Sequence, residues 1–298
     1  MEDSYRAGSD SVPTQITGPT GVAALPTAAA GARTSNIKLS ILMPAYNEHR
    51  TIRAAVETVF SQDYPCEIEL VVVDDGSDVP VVDLLVGIAD PRLLVYRHSA
   101  NLGKGAALRE AAAIASGTHL VPLDADLEYD PADIVPMLAP VIAGRCDLVY
   151  GVRLFGANTR FQSYRHAVAN RGLTLAANVM YDAAISDLHT CLKLMPIELF
   201  RSFPLRESGF GLDTEITACI LKTGARPFEV PVSYHSRSKE QGKKVTWHDG
   251  VRCLQILARV KSARTATLTQ RPQPTDKVAT LAFVGAPRPA ETRDSKAP

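Results

Sequence analysis

Residues 70–77 read Leu70-Val71-Val72-Val73-Asp74-Asp75-Gly76-Ser77. An unbroken apolar run rich in β-branched residues, stopping abruptly in two acids, a glycine and a serine, describes a strand buried on both faces that ends in a polar turn. The same pattern recurs on either side. Upstream, Leu39-Ser40-Ile41-Leu42-Met43 reads as a strand stopped by Pro44 and a polar loop, after which Ile52, Val56, Val59 and Phe60 recur at helical spacing. Downstream come a short strand Leu93-Leu94-Val95-Tyr96, an alanine-rich helix from about Lys104 to Ala115, and a strand His119-Leu120-Val121-Pro122-Leu123 that ends in Asp124. Strands alternating with helices imply an α/β domain with a mostly parallel central sheet, helices on both faces and right-handed crossovers. Ligands of such sheets bind at the carboxyl edges of the strands. The loops 44–48, 74–77 and 124–128 are therefore expected to converge on one crevice.

Composition sets the outer limits. The chain has 298 residues, 46% of them hydrophobic, which is ordinary for one globular core. Its 32 basic and 32 acidic side chains cancel, so nothing suggests a general nucleic-acid binder. Cys66, Cys146, Cys191, Cys219 and Cys253 are scattered and form no CxxC pair, which argues against a disulfide scaffold or a structural zinc site and for a reducing compartment. No secretory leader and no run long enough to span a bilayer is expected. Residues 1–36 and 265–298 are rich in Pro, Gly, Ala, Ser and Thr or scattered charge, and are expected to be disordered tails around a single domain over 37–264.

The acids carry the chemistry. In an extended or tightly turned backbone, alternate residues share a face, so Asp124, Asp126 and Glu128 are expected to cluster as oxygen ligands for Mg2+ or Mn2+, which would neutralise a diphosphate. Asp130-Pro131 already supplies a helix N-cap and first helical residue, which leaves the earlier acids without a capping task. Asp74-Asp75-Gly76-Ser77 reads either as a plain turn or as carboxylates facing a base or ribose, with Tyr46 offering a ring for stacking. Asn101-Leu102-Gly103-Lys104-Gly105 opens a helix, either as a phosphate cradle or as an ordinary glycine loop. The P-loop and GxGxxG fingerprints are missing, as are GxSxG and HExxH, which argues against a dinucleotide oxidoreductase, a serine hydrolase and a zinc protease.

From His235 to Arg264 eight Lys or Arg stand against two acids. Arg237 and Lys244 flank Gly242-Lys243, suggesting a basic loop over phosphates. Beyond it Val251, Leu254, Leu257 and Ala258 form a stripe that either packs on the domain or lies on anionic lipid.

Taken in order, Pro44-Ala45-Tyr46-Asn47-Glu48, Val73 to Ser77, Asn101 to Gly105, Asp124-Ala125-Asp126-Leu127, Gly151-Val152-Arg153, Asp187 to Lys193 and Tyr234 to Arg237 leading to Gly242-Lys243-Lys244 resemble the family 2 glycosyltransferases of GT-A (Rossmann-like) fold. Within that family they resemble the polyprenyl-phosphate, dolichol-phosphate mannose synthase-like branch. The resemblance implies that Pro44, Tyr46, Glu48, Val73 and Asp75 hold the nucleoside, and that Asp124, Ala125 and Asp126 meet the sugar diphosphate and metal. It implies that Arg153, Arg165 and Arg237 surround phosphates. It also implies an inverting transfer from a nucleotide sugar to a polyprenyl phosphate, with Arg165, Arg237, Lys243 and Lys244 receiving the lipid phosphate. The enzyme would then be cytoplasmic, peripherally associated with the inner face of the plasma membrane. Two departures, Glu128 where related synthases often carry glutamine and Thr190-Cys191-Leu192-Lys193 where mannose synthases have Ser-Gly-Phe, leave the sugar open. A hydroxyl acceptor would instead require a base, for which Asp187 or Glu215 are the candidates. A catalytically silent binding module is the remaining alternative.

Overall fold

Strand β1 (Lys38–Ala45) lies at the centre of the sheet, with Leu39, Ile41 and Met43 on one face and Leu42 on the other, all buried. This is the period-two alternation of a strand covered on both sides. The computed structural model describes residues 37–153, 159–160, 163–209, 211–236, 247–263 and 280–282. Beside β1 run β2 (Glu67–Asp74) and β4 (His119–Pro122), both parallel to it, and β3 (Leu93–Arg97) pairs parallel with β2. The sheet continues through β7 (Lys193–Pro196), antiparallel to both its neighbours, to β5 (Val149–Val152) and β8 (Phe228–Pro231). With β10 (Thr280–Ala282) at one edge, the full order is β10-β3-β2-β1-β4-β7-β5-β8, so the chain winds outward from β1 in one direction and from β4 in the other. That reversal opens a crevice at the carboxyl ends of β1 and β4.

One face is covered by α1 (Ile52–Phe60) and α4 (Ile134–Ile142), whose Ile52, Val56, Val59, Met137 and Leu138 are buried against the odd-numbered residues of β1. The other is covered by α3 (Lys104–Ile114), α5 (Tyr164–Tyr181), α7 (Leu212–Lys222) and α8 (Trp247–Ser262). Two short helices, α2 (Val81–Leu84) and α6 (Ile197–Ser202), complete the set. The Asp130-Pro131 signal is realised in a 3-10 turn over Pro131–Asp133, where the Asp130 carboxylate accepts the Ala132 N–H at 2.9 Å. A separate two-stranded sheet joins β6 (Thr159–Arg160) to β9 (Tyr234–His235).

Within 265–298, Thr280–Ala282 forms β10 and pairs antiparallel with β3; the rest of that stretch lies outside the described residues. The strand sits in Val278-Ala279-Thr280-Leu281-Ala282-Phe283-Val284, an apolar stretch able to satisfy the backbone groups on the open edge of β3. On α8, Leu257 is buried together with Cys253, Ile256 and Val260, while Val251 and Leu254 are exposed. The apolar residues of that helix thus divide between packing and surface.

Candidate functional site

The loops after β1 and β2 are tied to each other. The Asp75 N–H donates to the Ala45 carbonyl at 2.8 Å, the Asn47 N–H to the Ser77 hydroxyl at 3.0 Å, and the Asp78 N–H to Asn47 Oδ1 at 2.9 Å. Asn47 adopts the left-handed region at φ 56°, which asparagine tolerates and which turns the chain back toward β2. Gly76, at φ 74°, approaches so closely that a Cβ would lie 2.5 Å from the Ala100 carbonyl carbon. The second glycine of this region, Gly103 at φ 91°, would place a Cβ 2.6 Å from the Ser208 carbonyl oxygen. Both glycines therefore serve close backbone approach between loops.

The expected nucleoside residues separate into those that face outward and those that do not. Tyr46 is 48% exposed, and Pro44 and Glu48 are half-buried beside it, Glu48 accepting the Thr51 hydroxyl at 3.1 Å. Val73 is fully buried in the core and has only its backbone to offer. Asp75 is buried, with Oδ1 accepting from the Leu102 N–H at 2.9 Å, Oδ2 from the Gly103 N–H at 2.7 Å, and His98 Nδ1 at 2.7 Å from Oδ1. Two amides that a phosphate cradle over 101–105 would use thus already serve Asp75, which favours the glycine-loop reading. Asp74 is buried too, accepting from the Ser77 and Val81 N–H groups and from Arg97.

At the end of β4 the expected triad of carboxylates is not assembled. Asp124 and Asp126 are half-buried, and Asp126 Oδ1 accepts the Glu128 N–H at 3.1 Å. Glu128 is buried and accepts the Tyr234 hydroxyl at 2.7 Å. Among the described residues no group of three or more His, Cys, Asp or Glu is poised to share a metal ion. The reason is local: Leu127 takes a left-handed conformation at φ 59°, so the segment turns and the alternation that would align positions 124, 126 and 128 is broken. Asp124 and Asp126 still fit a small hard cation, because Mg2+ takes one or two carboxylates and completes its shell with phosphate oxygens and water. Ala125 is buried between them and presents backbone only.

Lys104, read in the sequence only as part of the 101–105 motif, and Asp213, not named there, complete this corner. Lys104, the first residue of α3, places Nζ 2.8 Å from Asp124 Oδ2 and 3.9 Å from Asp213 Oδ2. Burial pushes its ammonium down, but Asp124, Cys191 and Asp213 outweigh that and hold it well above its usual range. Asp213 stands in the first turn of α7 and also meets the fully buried Lys193 at 3.5 Å. Burial raises Asp213, yet Lys104 and Lys193 hold it below the usual carboxylate range. Lys193 itself donates to the Thr190 carbonyl, and burial pulls it below the ordinary lysine range.

Arg153 forms a fork with Asp187 at 2.6 and 2.8 Å and lies over the Tyr234 ring at 4.9 Å. Burial raises Asp187, but Arg153 outweighs it, bringing the carboxyl to about 2. Glu215 accepts the Arg206 and Glu207 N–H groups at 2.8 Å and pairs with Arg259 at 2.7 Å. Neither acid is placed to take a proton from a hydroxyl. His189 links three elements, with Nδ1 2.7 Å from Asn170 Oδ1 and Nε2 2.9 Å from Thr214 Oγ1, and burial pushes it down to about 4. Arg165 is exposed on the first turn of α5. Arg237, Lys243 and Lys244 lie outside the described residues.

Residues 40–203 match the profile of the family described as Glycosyl transferase family 2. Over 216 residues the chain is 27% identical to Glycosyltransferase AglD of Haloferax volcanii, covering 70% of this chain and 35% of that protein. Over 121 residues it is 31% identical to the Bactoprenol glucosyl transferase of Shigella phage SfV, covering 39% of each. The chain thus spans less than half the length of both relatives. Its fold is similar to that of glucosyl-3-phosphoglycerate synthase from Mycobacterium tuberculosis, solved with Mn2+, uridine-diphosphate-glucose and phosphoglyceric acid, with a TM-score of 0.58 at 19% identity over 77% of this chain and 82% of that one.

Proposed function

The chain belongs to glycosyl transferase family 2 and has the GT-A fold, and from that premise we propose that it is an inverting transferase moving a sugar from a UDP- or GDP-linked donor to a polyprenyl phosphate at the cytoplasmic face of the membrane. The observation that carries the acceptor half of this reading is the state of the crevice acids. Asp187 is locked to Arg153, Glu215 to Arg259 and two amides, and Lys104 and Lys193 hold Asp213 below the usual carboxylate range, which makes it a weak base. A hydroxyl acceptor needs a base to remove its proton, whereas a phosphate monoester, with a second pKa near about 6, arrives with a charged oxygen already available. The name of the phage relative, a bactoprenol glucosyl transferase, supports the same acceptor class.

The donor half rests on the corner around Lys104. Tyr46 and Pro44 take the nucleoside, with Glu48 beside them; Val73 contributes backbone, and Asp75 acts by fixing the 101–103 loop. Asp124 and Asp126 would hold Mg2+ or Mn2+, which would supply positive charge to the departing nucleoside diphosphate; the Mn2+ with which the mycobacterial synthase was solved supports that choice of ion class. Lys104 brings a second, fixed positive charge to the same place. A phosphate oxygen of the acceptor then attacks the anomeric carbon from the face opposite the diphosphate, the bond to the diphosphate breaks, and the configuration inverts. Arg165, Arg237, Lys243 and Lys244 are assigned to the acceptor phosphate, and Arg153 to holding Asp187 and the Tyr234 ring beside the crevice.

The test is a donor screen with UDP- and GDP-sugars, Mg2+ and Mn2+, against a polyprenyl phosphate and against saccharide acceptors. A metal-dependent lipid-linked monosaccharide is expected. Transfer to the saccharide alone would overturn the acceptor assignment, and no turnover with any pair would leave a silent binding module.

A further inference from the structure

Helix α5 carries apolar side chains on two faces. Ala167, Thr174, Ala177 and Tyr181 are buried in the core. On the outside Tyr164 is 75% exposed, Val168 46%, Leu175 63% and Val179 76%. These four are separated by four, seven and four residues, so they form one stripe, about 22 Å long at about 1.5 Å rise per residue. The stripe is interrupted on the same face by Arg171, between Val168 and Leu175, and an exposed apolar face of this kind marks a surface that something covers.

The charges around it indicate what. The eighteen residues of α5 include Arg165 and Arg171 and not one acid. Beside it packs α8, through the Tyr181 hydroxyl donating to the Leu257 carbonyl at 2.7 Å; α8 exposes Val251 and Leu254, and of its cations Arg252 pairs with Glu207 at 2.8 Å and Lys261 donates to the Met180 carbonyl of α5, while Asp249 is the one acid of the helix. Among the described residues no helix is long and apolar enough to cross a membrane. An apolar stripe flanked by arginine and lysine, on a helix too polar to span, is the pattern of an element lying in a lipid interface and drawn to anionic headgroups. A second copy of this chain fits less well, because a two-fold contact through the stripe would set Arg165 and Arg171 of one copy against those of the other.

We propose that the outward face of α5 is the surface on which this protein rests on an anionic lipid bilayer. The helix begins directly beyond β6, where Arg160 lies in register with His235, so its Tyr164 end is close to the strand that buries Glu128 and borders the crevice. A bilayer against the stripe would therefore lie beside the entrance through which a lipid phosphate reaches the site. The inference takes its purpose from the lipid-phosphate reading above and its evidence from α5 and the elements beside it.

Sedimentation of the full chain with vesicles tests it without turnover, so either reading can fail alone. Binding is expected to vesicles containing phosphatidylglycerol, to weaken with salt, and to be absent with phosphatidylcholine alone. The double variant Leu175→Glu, Val179→Glu, at two exposed positions, is expected to keep its melting temperature and lose about tenfold or more of its partitioning. Its transfer to a short, water-soluble prenyl phosphate should be unchanged, while transfer to vesicle-embedded polyprenyl phosphate falls. Equal partitioning of wild type and variant would overturn the proposal, as would no vesicle binding by the wild type, or a wild-type dimer in the ultracentrifuge that the variant dissociates.

Discussion

Two buried or half-buried carboxylate sites occupy opposite ends of the same sheet, and they are built on different principles. At the amino end Glu69 accepts the Ser40 hydroxyl at 2.6 Å, the Ser116 N–H and hydroxyl at 2.5 and 2.6 Å, and the Gly117 N–H at 3.1 Å. Burial pushes this carboxyl up, and the bonds from Ser116 and Ser40 outweigh it and hold it below its usual range. Four short bonds come from neutral donors fixed to the backbone or close to it, and the Lys38 ammonium stands farther off, at 3.6 Å from Oε2. At the carboxyl end Asp124 meets instead the tip of a long lysine, and both side chains stay about a quarter exposed, at 25% and 28%. A saturated acid holds strands together, whereas an acid balanced by a movable ammonium can exchange that partner for a metal-bound diphosphate.

The largest expected effect sharpens this contrast. Asp124→Asn or Asp126→Ala should reduce sugar transfer by about a thousandfold or more, the loss of roughly 4 kcal/mol of charge stabilisation, while shifting the melting temperature by no more than about 3 °C. Turnover within about tenfold of wild type in Asp126→Ala would remove the metal assignment. Glu69→Ala should do the reverse: it strands the Ser116 and Gly117 donors in the interior, so urea denaturation should report a loss of about 3 kcal/mol, with turnover per folded molecule within about twofold. Should Glu69→Ala kill activity without loss of stability, the distinction between the two ends is wrong.

Much of this geometry was legible in the sequence because it follows from local rules. The β-branched run at 70–73 and the Asp130-Pro131 cap each depend on neighbours a few residues away and appear where expected, whereas β1 does not stop at Pro44 but runs through it to Ala45, in register with Asp74 of β2. What the sequence concealed depends on conformations or partners that spacing does not encode. A single left-handed residue, Leu127, turned Glu128 into the Tyr234 network and separated it from Asp124 and Asp126. Asp213, more than a hundred residues beyond Lys104, looks in sequence like any acid in the first turn of a helix. Asp75 reads as a ligand contact until its oxygens are found on the Leu102 and Gly103 amides. Helix α5 shows no amphipathic period because its inner and outer apolar faces cancel, so its exposed stripe becomes visible only with the fold.

A smaller effect concerns the layer between the two ends, where His189 joins α5, α7 and the strand region. Burial lowers its pKa from 6.5 to about 4, so between those values the unfolded chain binds a proton that the folded chain refuses. Stability contributed by the neutral ring is fully present above about 6.5 and is lost as pH falls toward 4, by up to about 3 kcal/mol. The windows of Glu69 and Asp187, whose folded values are depressed, open only below the ordinary carboxylate range, near or below about 4.5. Denaturation of wild type and His189→Gln from pH 7 to pH 4.5 should therefore show a slope in the first that is largely absent in the second. Parallel slopes would mean that the ring is not buried neutral.

The smallest expected effect tests the outer wall of the donor crevice. Tyr46 is half exposed on a loop that Asn47, Ser77 and Asp78 tie to its neighbour, so its ring is presented by a fixed backbone and is not covered by the core. Stacking of a base on an aromatic ring contributes about 1–3 kcal/mol, and the lower figure suits a ring that remains partly in water. Tyr46→Leu should weaken donor binding about fivefold to tenfold by calorimetry with the nucleoside diphosphate, whereas Tyr46→Phe, which keeps the π face, should match wild type. Equal affinity in all three proteins would mean that the base lies elsewhere. A loss in Tyr46→Phe as large as in Tyr46→Leu would mean that the hydroxyl, not the ring, makes the contact. Either result leaves the Asp124 corner untouched, because the nucleoside wall and the diphosphate corner are carried by different strands, β1 and β4.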